Sequence, residues 1–104
     1  MQLSIVIPLF NESDSLNELV DWITDVMQRN AISYELLFID DGSTDDSWLT
    51  LTRLCASSPQ IRALRFTKNF GKSQALHAGF KLAQGKIVAT MMPICKTAPK
   101  NCPR

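Results

Sequence analysis

The chain reads as an α/β domain with a mostly parallel sheet of about four strands and three crossover helices. Three observations carry that reading. Short apolar runs rich in Val and Ile alternate with longer stretches whose apolar residues recur at three-and-four spacing. Each longer stretch supplies enough chain to cross between parallel strands. Polar and turn-forming residues gather just after the strands, where ligands of open parallel sheets bind.

The elements follow in order. "LSIVIPLF" (Leu3 to Phe10) is a short apolar run and the first strand. "SDSLNELVDWITDVMQRN" places Leu16, Leu19, Val20, Ile23, Val26 and Met27 on one helical face, with Ser13 or Asp14 available as cap. "YELLFIDD" (Tyr34 to Asp41) is the second strand. "STDDSWLTLTRLCASS" is the second helix, with Ser43 or Thr44 near its N-cap and acids in its first turn. "IRALRFT" is the third strand. "GKSQALHAGFKLAQG" is the third helix, closed by Gly85 at the position after its C-cap. "KIVATM" is the fourth strand. Trp22 and Trp48 fall within the amphipathic helices and are expected to pack.

Bulk properties narrow the function classes. The 104 residues suit one small domain or part of a larger one, and 45% hydrophobic residues allow a core. A net charge of +1, from 11 basic and 10 acidic residues, gives no overall footprint for nucleic acid or an anionic membrane. No apolar run approaches the roughly 20 residues that cross a bilayer. "MQLSIVIPLFNE" lacks the basic start of a signal peptide, so a cytoplasmic location is expected. Cys55, Cys95 and Cys102 form neither an even disulfide set nor a CxxC pair. Cys55 is expected to pack on a helix face.

Three strand ends concentrate polar residues. Pro8, Asn11 and Glu12 close the first strand. Asp40-Asp41-Gly42-Ser43-Thr44-Asp45 closes the second, and Lys68-Asn69-Phe70-Gly71-Lys72 follows the third. Two adjacent carboxylates at a strand end are costly without a partner, which a base edge, ribose hydroxyls or a metal could provide. The plainer reading is a turn followed by a helix cap. Lys68 and Lys72 flank Gly71 near a helix start, an arrangement suited to phosphate, or else a solvated loop. No GxGxxG follows the first strand and no GxxxxGK[ST] occurs, which disfavours a dinucleotide fingerprint and excludes a P-loop. His77 lies mid-helix, in an ordinary structural setting. A receiver-like acidic pocket would need an aspartate at the third strand end, where Thr67-Lys68 stands.

"IVIPLFNE", "FIDDGSTDDS", "RFTKNFGKSQALHAGFKLAQG" and "KIVATM", in that order, resemble the N-terminal nucleotide-sugar-binding half of family 2 glycosyltransferases. The dolichyl- or undecaprenyl-phosphate sugar transferase branch is the nearest in appearance. The resemblance spans Leu3 to Met91. It implies a partial GT-A (Rossmann-like) fold over 1–91 and transfer of a sugar, with inversion, from a nucleotide sugar to an acceptor such as a lipid phosphate or glycan. It implies that Pro8, Asn11 and Glu12 line the nucleoside pocket. Asp40 and Asp41 would face base and ribose, Asp41 being the better candidate for the base. Lys68, Gly71 and Lys72 would serve as the basic loop near base and phosphates. It also implies Mg2+ or Mn2+ in the intact family, and an intact protein working at the cytoplasmic face of the membrane. No nucleic-acid partner and no transmembrane segment are expected of this chain. The alternative is a non-catalytic nucleotide-binding or interaction module.

At the fourth strand end the chain departs from the family. The family places Asp-x-Asp there, commonly within Met-Asp-Ala-Asp-Leu-Gln-Asp, and its carboxylates hold the cation. Here the string is Met91-Met92-Pro93-Ile94, and no Asp or Glu occurs from Ser47 to Arg104. A metal site and a catalytic base are therefore not expected. Back-translation suggests why. One G inserted after the Met91 codon turns the next two codons into GAT (Asp) and GCC (Ala). The codon after them admits Asp, the next gives Leu or Met, and the fifth gives Gln or a stop. The family string is thus readable in the shifted frame. Residues 92–104 are expected to form an irregular tail outside the fold, and the 104-residue chain to be catalytically inactive.

Overall fold

The computed structural model describes residues 2–91. The expected tail over 92–104 therefore lies outside the described residues. Seven elements follow in the expected order. They are β1 (Leu3–Leu9), α1 (Ser13–Arg29), β2 (Tyr34–Asp40), α2 (Ser47–Ser57), β3 (Ile61–Arg65), α3 (Lys72–Leu82) and β4 (Ile87–Thr90). Every strand pair is parallel, in the order β3-β2-β1-β4. The order reverses between β1 and β4, so their carboxyl ends flank the crevice where open sheets of this kind take ligands.

The two-residue period of the strands sorts the core. Ile5, Ile7 and Leu9 of β1 and Leu36 and Phe38 of β2 meet Leu16, Leu19, Val20 and Ile23 of α1 and Leu51 of α2. Val6, Leu37 and Ile39 turn the other way, toward Ala75 of α3. Thus α1 and α2 cover one face and α3 the other. Every β2 residue is buried, which is why its sequence is a nearly continuous apolar run.

Pro8 fits a central strand because of where pairing stops. The Leu9 carbonyl accepts from Asp41 N–H on the β2 side, and the Val6 carbonyl accepts from Met91 N–H on the β4 side. Pro8 shares Val6's side, beyond the last β1–β4 pair, Val6 with Thr90. Its missing N–H therefore breaks no described ladder bond.

Helix ends differ from expectation. Glu12, not Ser13 or Asp14, is the N-cap of α1, and no side chain caps it. The second helix begins at Ser47, with Asp46 at its N-cap, so Ser43 and Thr44 do not cap it and no acid lies in its first turn. The intervening amides are already taken. Ser43 N–H donates to Asp40 Oδ1, and Thr44 and Asp45 N–H donate to Asn11 Oδ1. Gly85 is not the left-handed residue after α3; positive φ occurs only at Gly42 and Gly71 among the described glycines. It is instead a close approach, since a Cβ there would stand 2.7 Å from Ser4 N. Trp22 is 53% exposed, off the stripe that α1 buries, whereas Trp48 packs against the core. Cys55 packs there too, as expected, and burial pushes its thiol pKa up.

A buried polar cluster closes the amino end of the sheet. Glu35 is 1% exposed and accepts from Ser4 Oγ, Gln84 N–H and Arg62 Nη1. Gly85 N–H donates to Ser4 Oγ at 2.7 Å. Arg62 also reaches the Leu82 carbonyl, at 3.5 Å. Burial penalises the charged carboxylate. The bonds from Ser4, Gln84 and Arg62 outweigh that penalty and hold its pKa below the ordinary 4.5.

Gly42 does comparable steric work at the carboxyl end. Its φ is +79°, and a Cβ there would lie 2.5 Å from the Lys68 carbonyl carbon and 2.6 Å from Asn69 N. The β3–α3 loop backbone therefore rests directly on it.

Two expectations follow. A group whose folded pKa is depressed stabilises the fold above its unfolded pKa, and that contribution disappears as pH falls through the folded value. Urea unfolding should show stability declining below about pH 4.5. Glu35→Gln should flatten that decline and cost about 1–3 kcal/mol at neutral pH. Gly42→Ala should cost about 3 kcal/mol through backbone strain plus overlap, read as a lower urea midpoint.

Candidate functional site

The three polar strand ends meet at the carboxyl edge of the sheet. Asn11, with φ +54°, lies where β1 turns toward α1. Its N–H donates to Ser43 Oγ (2.8 Å), and its side-chain oxygen accepts from Thr44 N–H (2.8 Å) and Asp45 N–H (3.2 Å). Glu12 N–H donates to Ser47 Oγ (3.0 Å), and Ser13 Oγ donates to Asp45 Oδ2 (3.1 Å). The β1–α1 and β2–α2 loops are thereby bonded into one unit.

Asp41 attaches the third loop. It is 5% exposed. Its Oδ1 accepts from Phe70 N–H (2.8 Å) and its Oδ2 from Gly71 N–H (3.0 Å). Gly71, with φ +101°, is the N-cap of α3, so the carboxylate sits at the positive end of that helix. Lys72 is the first residue of α3. Lys68 is exposed, with Nζ 5.3 Å from the centre of the Phe70 ring, which packs edge-on against Phe66.

Asp40 is wholly buried. Its Oδ1 is used by Ser43, and its Oδ2 has no partner among the described residues. Glu12 and Asp45 titrate in opposite senses. Desolvation pushes Glu12 up, against the Ser15 hydroxyl, and Asp45 and Asp14 add to the rise. Burial also penalises Asp45, but hydrogen bonds from Ser47 and Ser13 win and hold its carboxyl below the usual range.

Pro8, Asn11, Glu12, Asp40, Asp41, Lys68, Gly71 and Lys72 thus all lie at the carboxyl end of the sheet or at the start of α3. Asp41 holds Gly71 directly, and Asn11 joins the loop that follows Asp40. Asp41, expected to face the base, accepts one backbone N–H on each oxygen and keeps further acceptor capacity. A cleft of about 390 Å³ opens beside this unit, lined by Gly42, Ser43, Thr44, Arg65, Phe66 and Thr67. That size is within the range of small-molecule sites. Sequence reasoning missed Arg65, whose guanidinium lies 5.6 Å from the Trp48 ring centre. No sequence signal marked it; it stands in register with Asp40 across β2 and β3.

The described residues do not suit a divalent cation. No group of three or more His, Cys, Asp or Glu among them is placed to hold one. Each Asp41 oxygen already accepts a backbone N–H, and Asp40 offers a single buried free oxygen, whereas such ions take about six oxygen ligands.

The comparisons with known proteins agree with this geometry. A match to "Glycosyl transferase family 2" covers residues 4–91. The chain is 36% identical over 104 residues to an undecaprenyl-phosphate 4-deoxy-4-formamido-L-arabinose transferase of Sodalis glossinidius, covering 99% of this chain and 32% of that one. It is 33% identical to a dodecaprenyl-phosphate galacturonate synthase of Rhizobium johnstonii, covering 99% and 31%. It therefore spans about a third of the length of the curated relatives it matches. A mannosyltransferase of Pyrobaculum calidifontis, solved with GDP-Man and Mn2+, superposes with a TM-score of 0.76 at 23% identity, over 95% of this chain and 29% of that one. The family match, the parallel order β3-β2-β1-β4 and the bonded strand ends together place this chain in glycosyl transferase family 2.

Proposed function

We propose that residues 1–91 are the nucleotide-sugar-binding part of a glycosyltransferase. In a longer chain it would transfer a sugar, with inversion, to a polyprenyl phosphate. The observation that carries this reading is the attachment of the Lys68–Gly71 loop to Asp41, beside the cleft at the ends of β2 and β3. The loop carries Lys68 and leads into the amino end of α3, the kinds of group a diphosphate would require, next to the cleft but outside its lining residues. Relatives named for undecaprenyl- and dodecaprenyl-phosphate support the acceptor class. The roles of Asn11, Glu12 and Asp40 are to shape this pocket. Asp41 positions the loop, while Lys68 and Lys72 offset phosphate charge.

The 104-residue chain itself is proposed not to catalyse transfer. A divalent cation, where the enzyme has one, neutralises the departing diphosphate, and this chain has no Asp or Glu after Asp46 to hold it. The residues from Met92 on are read as a shifted frame, so resequencing the codons after Met91 tests that part directly. A G after that codon, or the family string continuing in the shifted frame, supports it. Absence of both overturns it.

Titration calorimetry with UDP- and GDP-sugars should detect weak binding that is the same in EDTA and in Mn2+. Asp41→Asn should weaken it about tenfold by freeing one end of the loop. Sugar transfer to a polyprenyl phosphate by the purified chain would refute the inactivity.

A further inference from the structure

The overall charge of +1 conceals a segregation. Every Asp and Glu lies at or before Asp46, and Arg29 is the only Lys or Arg before residue 47. The fold converts this into opposite faces. Helix α1 shows Asp14, Glu18, Asp21 and Asp25 to solvent, Asp25 paired with Arg29, on the side it shares with α2, where Arg53 and Arg65 are the other exposed bases. On the other side, α3 and its flanking loops expose Lys68, Lys81 and Lys86. The strand acids directed to that side, Glu35 and Asp41, are buried and hydrogen-bonded, and α3 itself has no acid; the exposed Asp45 and Asp46 lie in the β2–α2 loop. Two aromatic rings stand among them. Phe80 is 48% exposed beside Lys81, and Phe70 is 51% exposed under the Lys68 ammonium.

We propose that the α3 face docks on an anionic lipid bilayer. Lysines with exposed phenylalanines suit that surface, since the ammonium groups meet headgroup phosphates while the rings enter the interface. The acidic α1 face is repelled by the same surface, which fixes the orientation. The inference deepens the lipid-phosphate reading above and rests on it only for choosing a membrane as the partner. Docking this way would hold the sheet's carboxyl edge near a membrane-resident acceptor.

The test is co-sedimentation of the full chain with vesicles, without nucleotide. Vesicles of equal parts phosphatidylcholine and phosphatidylglycerol should bind it, pure phosphatidylcholine should not, and raised salt should release it. Each lysine removed should weaken partitioning about fivefold, so Lys81→Ala with Lys86→Ala should lose about 25-fold. Arg53→Ala, which removes one such charge from exposed α2, should leave partitioning unchanged, whereas Lys81→Ala alone should lose about fivefold. Equal loss with Arg53→Ala would overturn the proposal, because net charge and not this face would then govern binding. Salt-sensitive self-association without vesicle binding would overturn it too, by making a second copy's acidic face the partner. Binding that needs a polyprenyl phosphate and ignores phosphatidylglycerol would overturn the surface but leave the acceptor reading intact. Vesicle binding with no nucleotide binding would support the surface and sink the proposed donor site.

Discussion

Two carboxylates on one face of β2 fix both ends of α3. Glu35 and Asp41 share the odd-numbered face of the strand run and lie six residues apart, about 20 Å. Helix α3 has 11 residues, about 16 Å, and the turns at its ends make up the difference. Asp41 accepts from Phe70 and Gly71 N–H at the start of the helix, and Glu35 accepts from Gln84 N–H just beyond its end. The strand therefore sets the position of the helix. With it come the Lys68–Gly71 loop at one end and the register of β4 at the other.

The two anchors face different electrostatics. Asp41 meets the positive end of α3, so its negative charge is favoured there. Glu35 lies at the opposite end, where a carboxylate alone would be unfavourable. Arg62 resolves this by bonding both Glu35 and the Leu82 carbonyl, and so it offsets the charge and the helix end together. Chain length matters as well. Glutamate reaches toward the shared Ser4 hydroxyl, while the shorter aspartate keeps the upper loop close enough for Gly42 to touch its backbone.

Much of this was legible in the sequence, and the misses have physical causes. The succession of strands and helices along the chain and the main helix faces came from apolar periodicity, which tertiary packing reinforces. The start of α2 was misplaced because Asp40 and Asn11 claim the backbone of residues 43–45, a non-local bond set that no local cap rule contains. Gly85 looked like a helix stop but is a contact with Ser4. Glu35 had a readable signal. An acid inside an apolar run buried on both faces must find partners, and both Ser4 and Arg62 occupied neighbouring strands. The two backbone bonds to Asp41 were not legible, because they depend on how close the β3–α3 loop folds down.

The charge segregation shows how topology adds information to composition. A chain whose acids precede its bases would have no sided surface if helices alternated between faces at random. Here the first two crossovers run on one side and the third on the other, so the sheet divides an early acidic helix from a late basic one. The buried acids complete the separation. Glu35 and Asp41 come from the acidic part of the sequence but point toward α3, where burial removes them from the surface and backbone donors satisfy them. The same two residues that hold α3 in place thus leave its outer face without an exposed acid to compete with its lysines.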